Sequence, residues 1–301
     1  MKSILSYSVL IAVLAGCMMM TACSEPNEFE YVDEEITADN GNDQPSVTVT
    51  DENGNTSTLP SGNTIGVYVV DEDGNVSLQQ VEVDENGNAV LPASTEESTM
   101  IAYTPYQEEW GEDAIVNHPD FTVESNQSTE DAYNASDLMI GTTKTEATTR
   151  ATTNGSMTFR HMLAKVAIHI VDETGRVDLT RIATELLNVK DCVTVDLAHQ
   201  QVETKDDSQR DVKMFWEMTT DWRISYYAIV APQSIAEGTD LFAVMLYGNR
   251  EINPIPEAAT LESGKTYTIN MRLTEHGLIP DGWYITDWNE EAEQDIDINI
   301  K

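Results

Sequence analysis

Ile65-Gly66-Val67-Tyr68-Val69-Val70 runs into Asp71-Glu72-Asp73-Gly74-Asn75 and then into Val76-Ser77-Leu78-Gln79-Gln80-Val81-Glu82-Val83. The first run is β-branched and aromatic, and the last alternates apolar with polar side chains. An Asp-Gly turn stands between them, so the stretch predicts a β-hairpin. Asp84-Glu85-Asn86-Gly87-Asn88 predicts the next turn, and Met100-Ile101-Ala102-Tyr103 a short strand ending at Pro105. Met157 to Val171 alternates again. Met162, Ala164, Val166, Ile168 and Ile170 share one face, with Arg160 in the same register; His161, Lys165 and His169 share the other with Phe159 and Leu163. Further strands are expected at Val189 to Asp196, Ile224 to Val230, Leu241 to Tyr247, Tyr267 to Leu273 and Asp295 to Lys301. One helix is expected, Leu179 to Leu187. Many short strands between turns predict an all-β protein built of β-sandwiches.

The formal net charge is −37, which argues against nucleic acid and anionic membrane surfaces as partners. The charge is unevenly spread. From Ser3 to Thr143 there is no Lys or Arg, while about half of the 53 Asp and Glu fall there. The Thr-rich stretch from Thr142 to Gly155 follows this break and reads as a joint between two domains. The stretch from Ser24 to Pro45 is dense in Asp, Glu and Asn and reads as a tether.

The chain opens with Lys2 and an apolar run from Ile4 to Ala15, broken only by Ser6, Tyr7 and Ser8. That run is too short to span a bilayer and has the form of a signal segment. Met20-Thr21-Ala22-Cys23 resembles a bacterial lipobox, in which Cys23 takes the lipid. Leu14-Ala15-Gly16-Cys17 is a closer match to the motif. Cys23 is preferred, because lipid on Cys17 would leave a very short apolar region and put Met18-Met19-Met20 in the mature chain. Glu25, Glu28 and Glu30 after Cys23 resemble a signal for export to the outer face of the outer membrane. The expected organisation is a signal peptide at 1–22, an acidic tether at 23–45, an N-terminal β-sandwich at 46–148 and a C-terminal β-sandwich at 149–301. The two β domains are expected to fold separately.

Motifs that carry catalysis are missing. There is no Gly-x-Ser-x-Gly, His-Glu-x-x-His, phosphate-binding Gly-rich loop or Cys-x-x-Cys, and no cofactor is implied. The Asp-Glu-x-Gly-Asn segments at Asp51, Asp71 and Asp84 invite a calcium reading. Their Gly falls at the fourth position, where an EF-hand needs it at the sixth, so they read as hairpin turns. The five His are scattered, and no metal site is expected. Cys192 reads as a small strand residue more readily than as a nucleophile. Tyr103, Tyr106, Trp110 and Trp283 form either core contacts or a sugar-stacking platform. The platform is the basis of a second reading, a surface glycan-binding lipoprotein.

Seven short motifs then occur in order. They are Ile65-Gly66-Val67-Tyr68, Ala102-Tyr103-Thr104-Pro105-Tyr106, Asp137-Leu138-Met139-Ile140-Gly141, Phe159-Arg160-His161-Met162-Leu163-Ala164-Lys165-Val166, Ile229-Val230-Ala231-Pro232-Gln233, Leu261 to Ile269, and Ile285-Thr286-Asp287-Trp288. Behind a lipobox, this series resembles the fimbrillin-like lipoproteins, the subunits and accessory proteins of type V pili. The resemblance implies two tandem transthyretin-like β-sandwich domains, and adhesion and assembly with other fimbrillin subunits in place of catalysis. It also implies that a protease cutting after a basic residue removes an N-terminal strand, and that a neighbour's strand fills the groove. Ile296, Ile298 and Ile300 alternate with Asp and Asn, the pattern such a donor strand needs; a terminal edge strand completing its own sheet has the same pattern. The lack of Lys or Arg between Lys2 and Lys144 departs from the stalk pattern. It points to a subunit that keeps its lipid, an anchor or accessory protein on the outer membrane that contacts host or bacterial surface ligands.

Overall fold

The computed structural model describes residues 47–50, 56–59, 62–85, 89–92, 98–145, 157–220, 223–255 and 257–288. In chain order the strands begin with β1 (Val47–Thr50), β2 (Thr56–Thr58), β3 (Thr64–Asp71), β4 (Val76–Glu82) and β5 (Ser98–Thr104). The short helix α1 (Ala114–Asn117), β6 (Asp120–Thr122), the helix α2 (Glu130–Asn134), β7 (Met139–Thr145), β8 (Met157–His161) and β9 (Ala164–Asp172) follow. After a 3-10 turn at Leu179–Arg181 come β10 (Ala183–Lys190), β11 (Cys192–Asp196), β12 (Gln201–Thr204), β13 (Gln209–Lys213) and β14 (Phe215–Thr220). The last seven are β15 (Arg223–Val230), β16 (Gln233–Ile235), β17 (Asp240–Leu246), β18 (Asn249–Pro254), β19 (Ala259–Leu261), β20 (Lys265–Thr274) and β21 (Gly277–Asp287).

The quoted hairpin forms. β3 and β4 pair antiparallel from Thr64↔Glu82 to Val70↔Val76. Gly74 takes φ 82°, and Asp71 closes the turn by accepting from Asn75 N at 2.7 Å and Asn75 Nδ2 at 2.8 Å. These bonds hold the Asp71 carboxyl below its ordinary pKa. β3 is buried on both faces because the seven-stranded sheet, order β2-β1-β8-β7-β5-β3-β4, packs on both sides. Ile65 and Val67 join Met100, Ala102, Met157 and Phe159 in one core. Tyr68 on the other face joins Ile101, Tyr103 and Ile140 in a second core, opposite Val193 and Val195 of the sheet β12-β11-β6. Gly66 is bare for a reason: a Cβ there would lie 2.3 Å from the Tyr103 ring. The third core lies between the sheet β14-β15-β9-β20-β21 and the sheet β13-β10-β17-β18. It holds Val166, Ile168, Leu186, Tyr226, Phe242 and Ile269 among others.

Two expectations change. The Leu179 to Leu187 helix is absent; the segment is one 3-10 turn followed by β10. The boundary at 148/149 falls within a strand pair. β7 and β8 pair antiparallel from Met139↔His161 to Thr142↔Thr158, so one sheet spans the segment read as a joint. The first half's β6 also pairs with the second half's β11, and the described residues fall in one compact unit. The Gln127 amide locks the halves further: it donates to Ile229 O at 2.8 Å and accepts from Ile229 N at 2.8 Å, replacing a strand partner. Met157 to Val171 is two strands in two sheets, with the change at Met162 and Leu163. Trypsin acting after Arg150 is therefore expected to yield two pieces that co-elute in native buffer and separate only in denaturant. Separation in native buffer would show that these pairings do not hold the halves.

Candidate functional site

The described residues place two chain segments on one strand. β1 lies parallel to β8 with Val47↔Met157, Thr48↔Thr158 and Val49↔Phe159. Its other edge is covered only by β2, through Thr48↔Thr58, Val49↔Ser57 and Thr50↔Thr56. β8 would become a sheet edge if β1 left, with an open row of main-chain donors and acceptors. At the far end of β8 stands Trp288, the last described residue. Its ring stacks on His161 at 4.2 Å with 12° between planes. Lys165 Nζ lies 5.0 Å from the ring centroid and donates to Trp288 O at 2.9 Å. Trp288 N donates to Gly264 O at 2.9 Å. His161 Nδ1 is 2.8 Å from Asp137 Oδ1, and its Nε2 is buried without a hydrogen-bond partner. All five residues stand in the ordered sequence motifs, but their separation in the chain left no sign that they meet.

Cys23, Ile296, Ile298 and Ile300 lie outside the described residues. The aromatic residues considered for sugar stacking do not share a face. Trp110 is 3% exposed and lies 4.8 Å from the Tyr103 ring in one core, while Trp283 packs against another. Tyr68 stacks on Tyr103 at 5.7 Å; burial pushes its hydroxyl up to about 12 and raises that of Tyr103 further. Cys192 is buried in β11 and accepts from Thr122 Oγ1 at 3.2 Å.

The structure brings together histidines that the sequence separates. His199 Nδ1 lies 2.8 Å and His118 Nε2 3.9 Å from Asp196 Oδ2. Among the described residues no group of three or more His, Cys, Asp or Glu side chains is placed to hold a metal ion. An open recess of about 400 Å³, lined by Thr99, Ile101, Thr142, Thr143, Ala198 and Gln200, carries no charged side chain. His169 bonds Ser225 at 2.7 Å, but Ser225 is 1% exposed and out of reach of a substrate.

His169 does set a pH response. Burial, then the charge of Arg223, lowers its pKa to about 4 from 6.5. The unfolded chain takes up that proton below pH 6.5, whereas the folded chain resists it until about pH 4. The stabilisation is complete above pH 6.5 and is lost as pH falls to 4, by at most about 3 kcal/mol. Urea unfolding at pH 6.5 and pH 4 should differ by less in His169→Asn than in the wild type. Equal differences in both would remove His169 as the source.

No helix among the described residues is long and apolar enough to cross a membrane. A family model described as fimbrillin-like matches residues 35–288. Among curated proteins the chain has no match. Solved structures do resemble it. A proposed cell adhesion protein from Bacteroides ovatus ATCC 8483 is 17% identical over 82% of this chain and 97% of its own, with a TM-score of 0.60. Another from Bacteroides uniformis ATCC 8492 is 17% identical over 81% and 97%, with a TM-score of 0.59. At this identity the likeness speaks for the fold.

Proposed function

Because the chain belongs to the fimbrillin-like family, we propose that it is a non-enzymatic surface lipoprotein, an anchor or accessory subunit of a type V pilus that joins its neighbours by β-strand addition. The observation that carries this reading is the seat of β1: a four-residue strand parallel to β8 and covered by a three-residue strand. With β1 in place, the sheet ends at this short pair, and a neighbour's strand can add at the β2 edge. With no Lys or Arg from Ser3 to Thr143, a trypsin-like enzyme has no site at which to release β1. The subunit then keeps its N-terminal segment and its lipid on Cys23, at the outer face of the outer membrane, and offers the strand with Ile296, Ile298 and Ile300 to the next subunit. Two tandem transthyretin-like β-sandwich domains fit this role. A glycan-binding role gains no support from Trp110, which is buried.

The anchor is tested by Cys23→Ala. Metabolic lipid labelling should vanish, and the protein should move from the membrane fraction to the soluble one. Labelling that survives this change and is lost in Cys17→Ala would transfer the anchor to Cys17. Labelling that survives both would end the lipoprotein reading.

A further inference from the structure

We propose that the fold is a shear clamp for tension applied between its two chain ends. The inference rests on the reading that one end is held at the surface and the other by a neighbouring subunit. The chain enters β1 at Val47, opposite Met157, the first residue of β8. It leaves at Trp288, whose ring lies on His161, the last residue of β8. Entry and exit thus sit at opposite ends of one strand, about 13 Å apart along it at roughly 3.3 Å per residue. Tension draws β1 backwards along its own axis while β8 is held from its far end. The register pairs of β1 with β8 are then loaded together and not one after another.

On the exit side β21 pairs antiparallel with β20 from Lys265↔Asp287 onward, so Trp288 leaves at the open end of that pair, and its contacts with His161, Lys165 and Gly264 keep the end from peeling. β20 in turn lies parallel to β9 from Thr266↔Lys165 to Leu273↔Asp172. β9 follows β8 through Met162 and Leu163, and this crossing is held from both sides. Met162 N donates to Leu138 O at 2.9 Å, Gly264 N to Leu163 O at 2.8 Å, and Ser263 Oγ to Met162 O at 2.7 Å. The load path runs from β1 through β8 to Trp288, which is tied to β8 at His161, to β9 at Lys165 and to Gly264 at the start of β20. It bypasses the β3–β4 hairpin and the sheet β13-β10-β17-β18.

The test is single-molecule force spectroscopy on the chain from Ser24 to Lys301 in a Cys192→Ser background. Handles on the two chain ends are compared with handles at Asn63 and Asp84. The latter pair stands at the open end of the β3–β4 hairpin, where Val83 N donates to Asn63 O, so pulling there breaks pairs singly. End-to-end rupture should need about threefold the force, since three register pairs load together. The first release should be β1 and β2 up to buried Leu59, about 40 Å of chain at roughly 3.5 Å per residue. Trp288→Ala should lower the end-to-end force and leave the Asn63–Asp84 force unchanged, which also reports that the variant is folded; Trp288→Phe should keep most of it. End-to-end rupture at or below the hairpin force, or indifference to Trp288→Ala, would overturn the clamp. Subunit crosslinking is read separately, so a failed clamp leaves the assembly reading intact.

Discussion

Trp110→Ala should destabilise the protein by about 3–5 kcal/mol, among the largest effects available to one substitution in a core. Trp110 is 3% exposed, 4.8 Å from the Tyr103 ring and 6.4 Å from that of Phe121. Its core joins residues from both halves of the chain, Tyr68 and Leu138 from one and Val193, Ile229 and Trp288 from the other. A cavity there loosens both halves at once. For a unit of this size the loss corresponds to about 6–20 °C in Tm. Thermal unfolding followed by near-UV circular dichroism reads it, and Trp110→Phe should recover most of the loss. The competing role gives the opposite result. A Trp that stacks on sugar could be removed with little change in Tm and a loss of glycan retention, and that outcome would reopen the glycan-binding reading.

The hairpin at Ile65 to Val83 was legible because local turn chemistry and alternation agreed with the final sheet. Elsewhere they conflicted. The segment from Leu179 to Leu187 has helical spacing, because Leu179, Ile182 and Leu186 recur at intervals of three and four. The first two pack into the core from the 3-10 turn and its end, and only Leu186 belongs to β10. A bulge beyond it, where the register with β13 shifts between Leu186 and Val189 and Asn188 takes φ 51°, breaks the alternation as well. β21 was hidden by Pro280, Asp281 and Gly282, which sit at another register shift, against Met271. β14 is an edge strand whose Trp216 and Met218 are exposed, so no alternation of burial marks it. The joint near Lys144 was misjudged because charge reports composition and not pairing. The acidic half ends where β7 turns back as β8 into the same sheet. The parallel pairing of β1 with β8, across more than a hundred residues, was not legible. Long-range pairing of this kind leaves no local trace.

Replacing Ile296, Ile298 and Ile300 together by Asp should abolish assembly through the C-terminal segment. If each Ile fills a pocket in a neighbour, its burial contributes about 1.5–3 kcal/mol. Loss of three, with a carboxylate forced towards each pocket, weakens association by well over a thousandfold at 1.4 kcal/mol per factor of ten. Main-chain pairing alone cannot restore this, because it is indifferent to register while the pockets are not. The conservative triple change to Val should keep most of the affinity. The measurement is photocrosslinking from the C-terminal segment of one subunit to the next, alongside the oligomer ladder. A segment that instead completes the sheet of its own chain gives a different pattern. The triple Asp change would then lower the Tm of the monomer and leave the ladder intact, and the donor role would be lost. The β2 edge of the seven-stranded sheet would remain as the assembly surface, to be tested by crosslinking from Thr58 in β2 to incoming subunits.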